Sequence, residues 1–127
     1  MSRAELSKIH TKIFEAATEV HTITGPGLPH AVYKSCMLHE LRIKSLMFRK
    51  EVVFPVIYKD HKAGEMIVET LIENNTILEI LNDTVISPLH LASMQSKLKI
   101  TKLRMGIIIT FNTLNIIDGY RKVLINQ

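Results

Sequence analysis

Apolar residues recur at helical spacing from the start of the chain. Leu6, Ile9, Ile13, Phe14, Ala17 and Val20 form one stripe. Ser2-x-x-Glu5 ahead of it has the form of a capping box, and Gly25-Pro26-Gly27 is a strong stop. A second helix is predicted from about Pro29, a residue that suits a first turn. Its apolar stripe is expected to run through Leu28, Val32, Cys36, Ile43 and Leu46. The pattern then changes. Lys50 to Tyr58 is β-branched and aromatic and reads as a strand, with Pro55 placing it at an edge or a bulge. Asp60 to Gly64 reads as a turn. Glu65 to Glu73 and Thr76 to Asn82 read as two more strands, with Asn74-Asn75 at the turn between them. Ser87-Pro88 has the form of an N-cap followed by proline at the first helical position, and that helix should run to about Ile100.

The run Met105 to Phe111 is continuously apolar, as in a central strand buried on both faces. Asp118-Gly119 is a turn, and Tyr120 to Ile125 a last short element. The order is ααβββαβ plus that element, so the class is α/β, a mixed sheet flanked by helices.

At 127 residues this is one domain with one core. Mean hydropathy is +0.16, high for a small monomer, and a homo-oligomer is the simplest way to cover the surplus apolar surface. Sixteen Lys and Arg against twelve Asp and Glu leave a net charge of +4, which suits a polyanion such as a DNA or RNA backbone. Basic residues gather at Arg42, Lys44, Arg49 and Lys50, and again at Lys97, Lys99, Lys102 and Arg104. The single cysteine, Cys36, excludes an internal disulfide, and scattered histidines offer no zinc-ligand spacing. The polar opening residues carry no secretory signal, and no apolar run approaches the roughly 18–20 residues of a membrane span. A cytoplasmic protein without membrane contact is expected.

The informative departure from the pattern lies in the second and third strands. Glu69 shares strand phase with Ile67 and Leu71, and Glu79 with Ile77 and Leu81. A carboxylate on an apolar strand face is costly unless compensated, by a cation between the two or by water at the sheet end. The turn decides whether they share a face. A two-residue loop at Asn74-Asn75 would turn them apart. A three-residue loop, Glu73-Asn74-Asn75, would set Glu69 opposite Glu79 on one face.

Several blocks together carry a family resemblance: Glu19-Val20-His21 with Gly25-Pro26-Gly27-Leu28, then Val32-Tyr33, then the Pro55 strand. Pro88-x-His90-x-Ala92, and Gly106 to Asn112 followed by Asp118-Gly119, complete it. From about residue 9 to 124 the chain resembles the GxxExxY family, which is assigned to the PD-(D/E)XK nuclease-like fold. The resemblance implies a restriction-endonuclease-like core and a metal-dependent nuclease ancestry. It places the family's glycine on Gly27, its tyrosine on Tyr33 and the intervening glutamate on His30. The metal-binding aspartate falls on Glu69, the Glu-x-Lys pair on Glu79 and Leu81, and a downstream Gln-x-x-x-Tyr on Ser93 and Lys97. Of the six polar active-site positions, which fall on His30, Glu69, Glu79, Leu81, Ser93 and Lys97, only Glu79 is unchanged.

The substitutions differ in weight. Aspartate to glutamate keeps the charge and moves the oxygens outward by a methylene. Histidine can still ligate a metal. Lysine to leucine removes the cation that steadies the nucleophile and the developing charge. Two readings follow. In the first the chain is a non-catalytic binding or assembly module on the nuclease fold, needing no cofactor. In the second it is an active nuclease, with Mg or Mn held by His30, Glu69 and Glu79. Lys34, one helical turn beyond His30, or Lys97 would then replace the lost lysine. His21 is expected to pack at a helix end, His90 to fix a turn, and His10, His39 and His61 to lie at the surface.

Overall fold

The computed structural model describes residues 2–125. Two helices, α1 (Arg3–Thr24) and α2 (His30–Ile43), precede three strands, β1 (Phe48–Tyr58), β2 (His61–Ile72) and β3 (Thr76–Leu81). Helix α3 (Pro88–Thr101) leads into β4 (Met105–Thr110). A 3-10 turn, Ile116–Gly119, leads into β5 (Tyr120–Leu124). The sheet order is β1-β2-β3-β4-β5, antiparallel throughout except for the parallel β3–β4 pair that α3 connects. Helices α1 and α2 cover one face and α3 the other. Accordingly β3 sends Leu78 and Ile80 into one core cluster and Ile77 and Leu81 into the other.

Local signals that the sequence carries are realised at the helix ends. Ser2 caps α1 by accepting from Glu5 N–H at 3.1 Å. Ser87 and His90 form a reciprocal capping box at α3, behind Pro88. Every residue of β4 is buried, as its unbroken apolar run requires, although β3 is the middle strand and β4 lies between β3 and β5. Strand β1 is an edge, and its register shifts just after Pro55, between Val56 and Ile57. Among the described residues no helix is long and apolar enough to cross a membrane.

Two expectations are corrected. The buried stripe of α2 is Tyr33, Met37 and Leu41, whereas Val32 and Ile43 are exposed. The helix is rotated by about one residue from the periodicity reading because Tyr33, not an aliphatic side chain, anchors it. The β1–β2 turn is also tighter than Asp60–Gly64. Lys59 and Asp60 both adopt positive φ, and Tyr58 pairs directly with His61. That is the geometry a two-residue hairpin needs to match strand twist.

Candidate functional site

The β2–β3 hairpin has the three-residue loop. Ile72 pairs with Thr76 and Leu71 with Ile77, and Glu73 and Asn74 take left-handed conformations. The ladder ends at Thr70 opposite Leu78. Beyond that rung β2 stays with β1, while β3 stays with β4 as far as Leu81. The two strands splay, and Glu69 and Glu79 are the first residues past the fork.

They nevertheless do not share a face. At the same rung β1 and β2 exchange faces together. Glu51 sits at φ 54° and the ladder omits the Glu51–Glu69 pair, then resumes in the same register. Lys50, Glu51, Glu69 and Thr70 therefore all line one cavity under α2, while Val68 and Leu71, three apart, both pack on the α3 side. Glu79 keeps the α3 side with Ile77 and Leu81. The shared face expected of a three-residue loop is lost to an irregularity that strict alternation does not reveal.

Each carboxylate meets a lysine from the helix on its own side. Lys34 of α2 pairs with Glu69, and Lys97 of α3 donates to Glu79 Oε1 at 2.5 Å. The second pair is the more enclosed, with Glu79 at 20% exposure against 51% for Glu69. His30 opens α2, and its Nε2–H donates to the Ile80 carbonyl at 2.6 Å. His30, Glu69 and Glu79 are thus engaged separately. Among the described residues no group of three or more His, Cys, Asp or Glu is gathered closely enough to hold a metal ion. The ligand set expected from the sequence does not fit a metal in this arrangement.

The cavity under α2, of about 380 Å³, is lined by Lys34, Arg42 and Lys50 as well as Glu51 and Glu69. Arg42 also lies 5.0 Å over the Phe48 ring. Arg42 and Lys50 belong to the first basic cluster of the sequence. The sequence showed them as one cluster, and the packing of α2 over β1 sets them beside Lys34 on one cavity. Leu81, on which the resemblance sets the motif lysine, packs against the apolar cluster under α3. Ser93, on which the resemblance sets the motif glutamine, is half-buried in α3.

The remaining motif residues build the frame. Tyr33 is buried and stacks on Phe111 at 4.8 Å, with ring planes 14° apart. Its hydroxyl donates to Gly25 O at 2.6 Å and accepts from Leu28 N–H at 3.0 Å, which fixes the Gly-Pro-Gly loop. Asn112 extends that clamp, accepting from Gly27 N–H and donating to Asn82 O, each at 3.2 Å. His21 donates to Thr113 O at 2.8 Å. His90 caps α3 through Nδ1 and meets Asp83 through Nε2 at 3.0 Å. His10, expected at the surface, is half-buried and shares a hydrogen bond with the Tyr120 hydroxyl at 3.0 Å. Tyr33→Phe should keep the stack and strand two loop groups without a partner. A loss of about 1–3 kcal/mol in denaturant unfolding is expected, and an unchanged midpoint would remove the clamp role.

A mixed five-stranded sheet with a parallel β3–β4 crossover, helices on both faces, and a carboxylate at the fork of two splayed strands define a nuclease-like α/β class. The model of the PD-(D/E)XK nuclease superfamily matches residues 7–123, and the chain belongs to that superfamily. No curated protein and no solved structure matches it.

Proposed function

We propose that this chain is a catalytically degenerate, GxxExxY-type member of the superfamily that serves as a binding or assembly module. The observation that carries the reading is the pair of lysine–glutamate contacts at the fork. Both carboxylates that would hold a catalytic cation already face a tethered one, and His30 is committed to a backbone carbonyl. A divalent ion would have to displace two lysines and draw together side chains held on opposite faces. Leu81 adds an apolar group where the motif lysine would stand. The cationic lining from Lys34, Arg42 and Lys50 supports a nucleic-acid backbone as partner, held by charge without base reading. The test is metal-dependent cleavage of labelled DNA and RNA alongside salt-dependent binding of the same strands.

The second reading, an active Mg- or Mn-dependent nuclease, draws on one observation. Lys97 contacts Glu79, as a relocated lysine would. Cleavage that vanishes in both Glu79→Ala and Lys97→Ala would establish it.

Assembly is supported by the outer half of the β1–β2 hairpin. Past the face exchange, Val52, Phe54 and Met66 pack toward α3, which leaves the other side uncovered. There Val53 and Ile67 pair directly at 49% and 63% exposure, with Ile57 beyond them at 53%. Two copies are expected to cover these faces mutually. Light scattering at micromolar concentration should give a mass above one chain, and Ile67→Lys should lower it toward the monomer. A monomeric mass for the unsubstituted protein would overturn the prediction.

A further inference from the structure

The cavity under α2 contains a charge that phosphate binding alone does not use. Its cations are Lys34, Arg42 and Lys50, and its anions are Glu51 and Glu69. Glu69 is taken by Lys34. Among the described residues Glu51 enters no ion pair. It also stands at φ 54°, a left-handed conformation within strand β1. Such backbone is costly for a residue with a β-carbon, and strained residues of this kind cluster at ligand sites. In a regular strand successive side chains point to opposite faces. Here the left-handed turn sets Lys50 and Glu51, neighbours in the chain, on one cavity. The strain thus delivers a second carboxylate to a cationic pocket.

A carboxylate in that place works against a phosphodiester. It repels the phosphates that Arg42 and Lys50 would attract, and so weakens any backbone that offers it no donor. Phosphate and deoxyribose oxygens within a strand only accept hydrogen bonds. The ribose 2′-hydroxyl can donate, and it is the group by which a protein tells RNA from DNA. A hydroxyl donating to a carboxylate makes a charge-assisted hydrogen bond, roughly twice as strong as a neutral one.

We infer that the strand taken by this cavity is RNA, with Glu51 accepting from a ribose 2′-hydroxyl while Arg42 and Lys50 hold the adjoining phosphates; the assignment rests on the cavity being the backbone site proposed above. Glu51 is then the residue that sets specificity. It disfavours DNA by repulsion and favours RNA by the bond that only a 2′-hydroxyl supplies. No base edge is read, so the preference is for the sugar and not for a sequence.

The probes are three single strands of one base sequence: RNA, DNA with uracil in place of thymine, and RNA whose 2′-hydroxyls are replaced by fluorine. Fluorine keeps the sugar pucker of RNA and removes the donor. Binding is followed by fluorescence anisotropy across a salt series, without divalent metal so that no strand is cut. RNA is expected to bind at least about tenfold more tightly than either other strand, the scale of one hydrogen bond to a charged group. Glu51→Asn should bring the three affinities together, RNA weakening and DNA tightening. Asparagine tolerates the left-handed backbone and Glu51 is exposed, so the fold should survive, and circular dichroism checks it. Lys50→Gln should weaken all three strands alike. Equal binding of the three by the unsubstituted protein overturns the RNA assignment and leaves the backbone site standing. RNA and the fluorinated strand binding alike, both above DNA, would mean that pucker is read instead, and overturns it too. An RNA preference that survives in Glu51→Asn overturns the role of Glu51. No salt-dependent binding of any strand overturns the backbone site itself.

Discussion

With millimolar Mg²⁺ or Mn²⁺, the protein is expected to leave labelled DNA and RNA uncut, and Glu79→Ala to change nothing. On the proposed reading, leucine at position 81 stands where the motif would set a lysine against the developing negative charge. The loss of one such stabilising group typically costs about 10²–10³ in rate. Misplacing a reacting group by about 1 Å costs a further factor of roughly 10². The displacement here is larger in kind, since Glu69 and Glu79 take their lysines from opposite faces of the sheet. The product of those factors brings a modest nuclease to background. Clear cleavage by the unsubstituted protein, abolished in Glu79→Ala, would sink the degenerate reading. Lys34→Ala and Lys97→Ala in turn would then show which lysine had been recruited. Strand binding is a separate matter. It should persist in Glu79→Ala and fall steeply as salt is raised, because charge on the cavity rim, not the carboxylate, would hold the backbone.

The largest stability effect is expected at Gly119, in the 3-10 turn that feeds β5. A Cβ placed there would lie 2.0 Å from the Thr110 carbonyl oxygen and 3.1 Å from Thr113 Oγ1. The first obstacle is backbone at the end of β4, a strand buried along its length, so it cannot swing aside as a flexible side chain would. Thr110 is also tied through its hydroxyl to the Asp83 carbonyl, and Asp83 to His90 at the start of α3. Moving one moves the others. Overpacking of this kind costs about 1–3 kcal/mol and occasionally more, and Gly119→Ala should reach or pass the upper figure. For a domain of this size that is a fall of roughly 12 °C in Tm. Gly64→Ala is the control. Nothing lies within 4 Å of its added Cβ, and its φ is ordinary, so Tm should hold. Equal behaviour of the two variants would refute the close-approach argument.

Much of the architecture was legible from residue pattern alone. The run Ile107, Ile108 and Ile109 had the pattern of an interior strand and Ser87-Pro88 that of a helix start, and both are realised. Pro55, which cannot donate to a ladder, pointed to an edge or a bulge in β1, and the strand is an edge with a register shift just beyond the proline. The three-residue loop of the β2–β3 hairpin was readable as one of two options, and the left-handed Glu73 and Asn74 realise it. Where periodicity misplaced a face, one large residue had overridden it. In α2 the aliphatic positions suggested one stripe, but Tyr33 has a ring to stack and a hydroxyl to satisfy, and it turned the helix to do both.

The candidate site divides along the same line. The sequence by itself determined the superfamily and the element order, because each is a matter of residue type at a spacing along the chain. It also singled out Glu69, Glu79, Lys34 and Lys97. Only the tertiary structure decided how they combine. The rung at Glu51 and Glu69 lets both hairpin strands exchange faces, and that sends the two carboxylates to different helices. A left-handed residue in mid-strand has no signature in a pattern of apolar and polar positions.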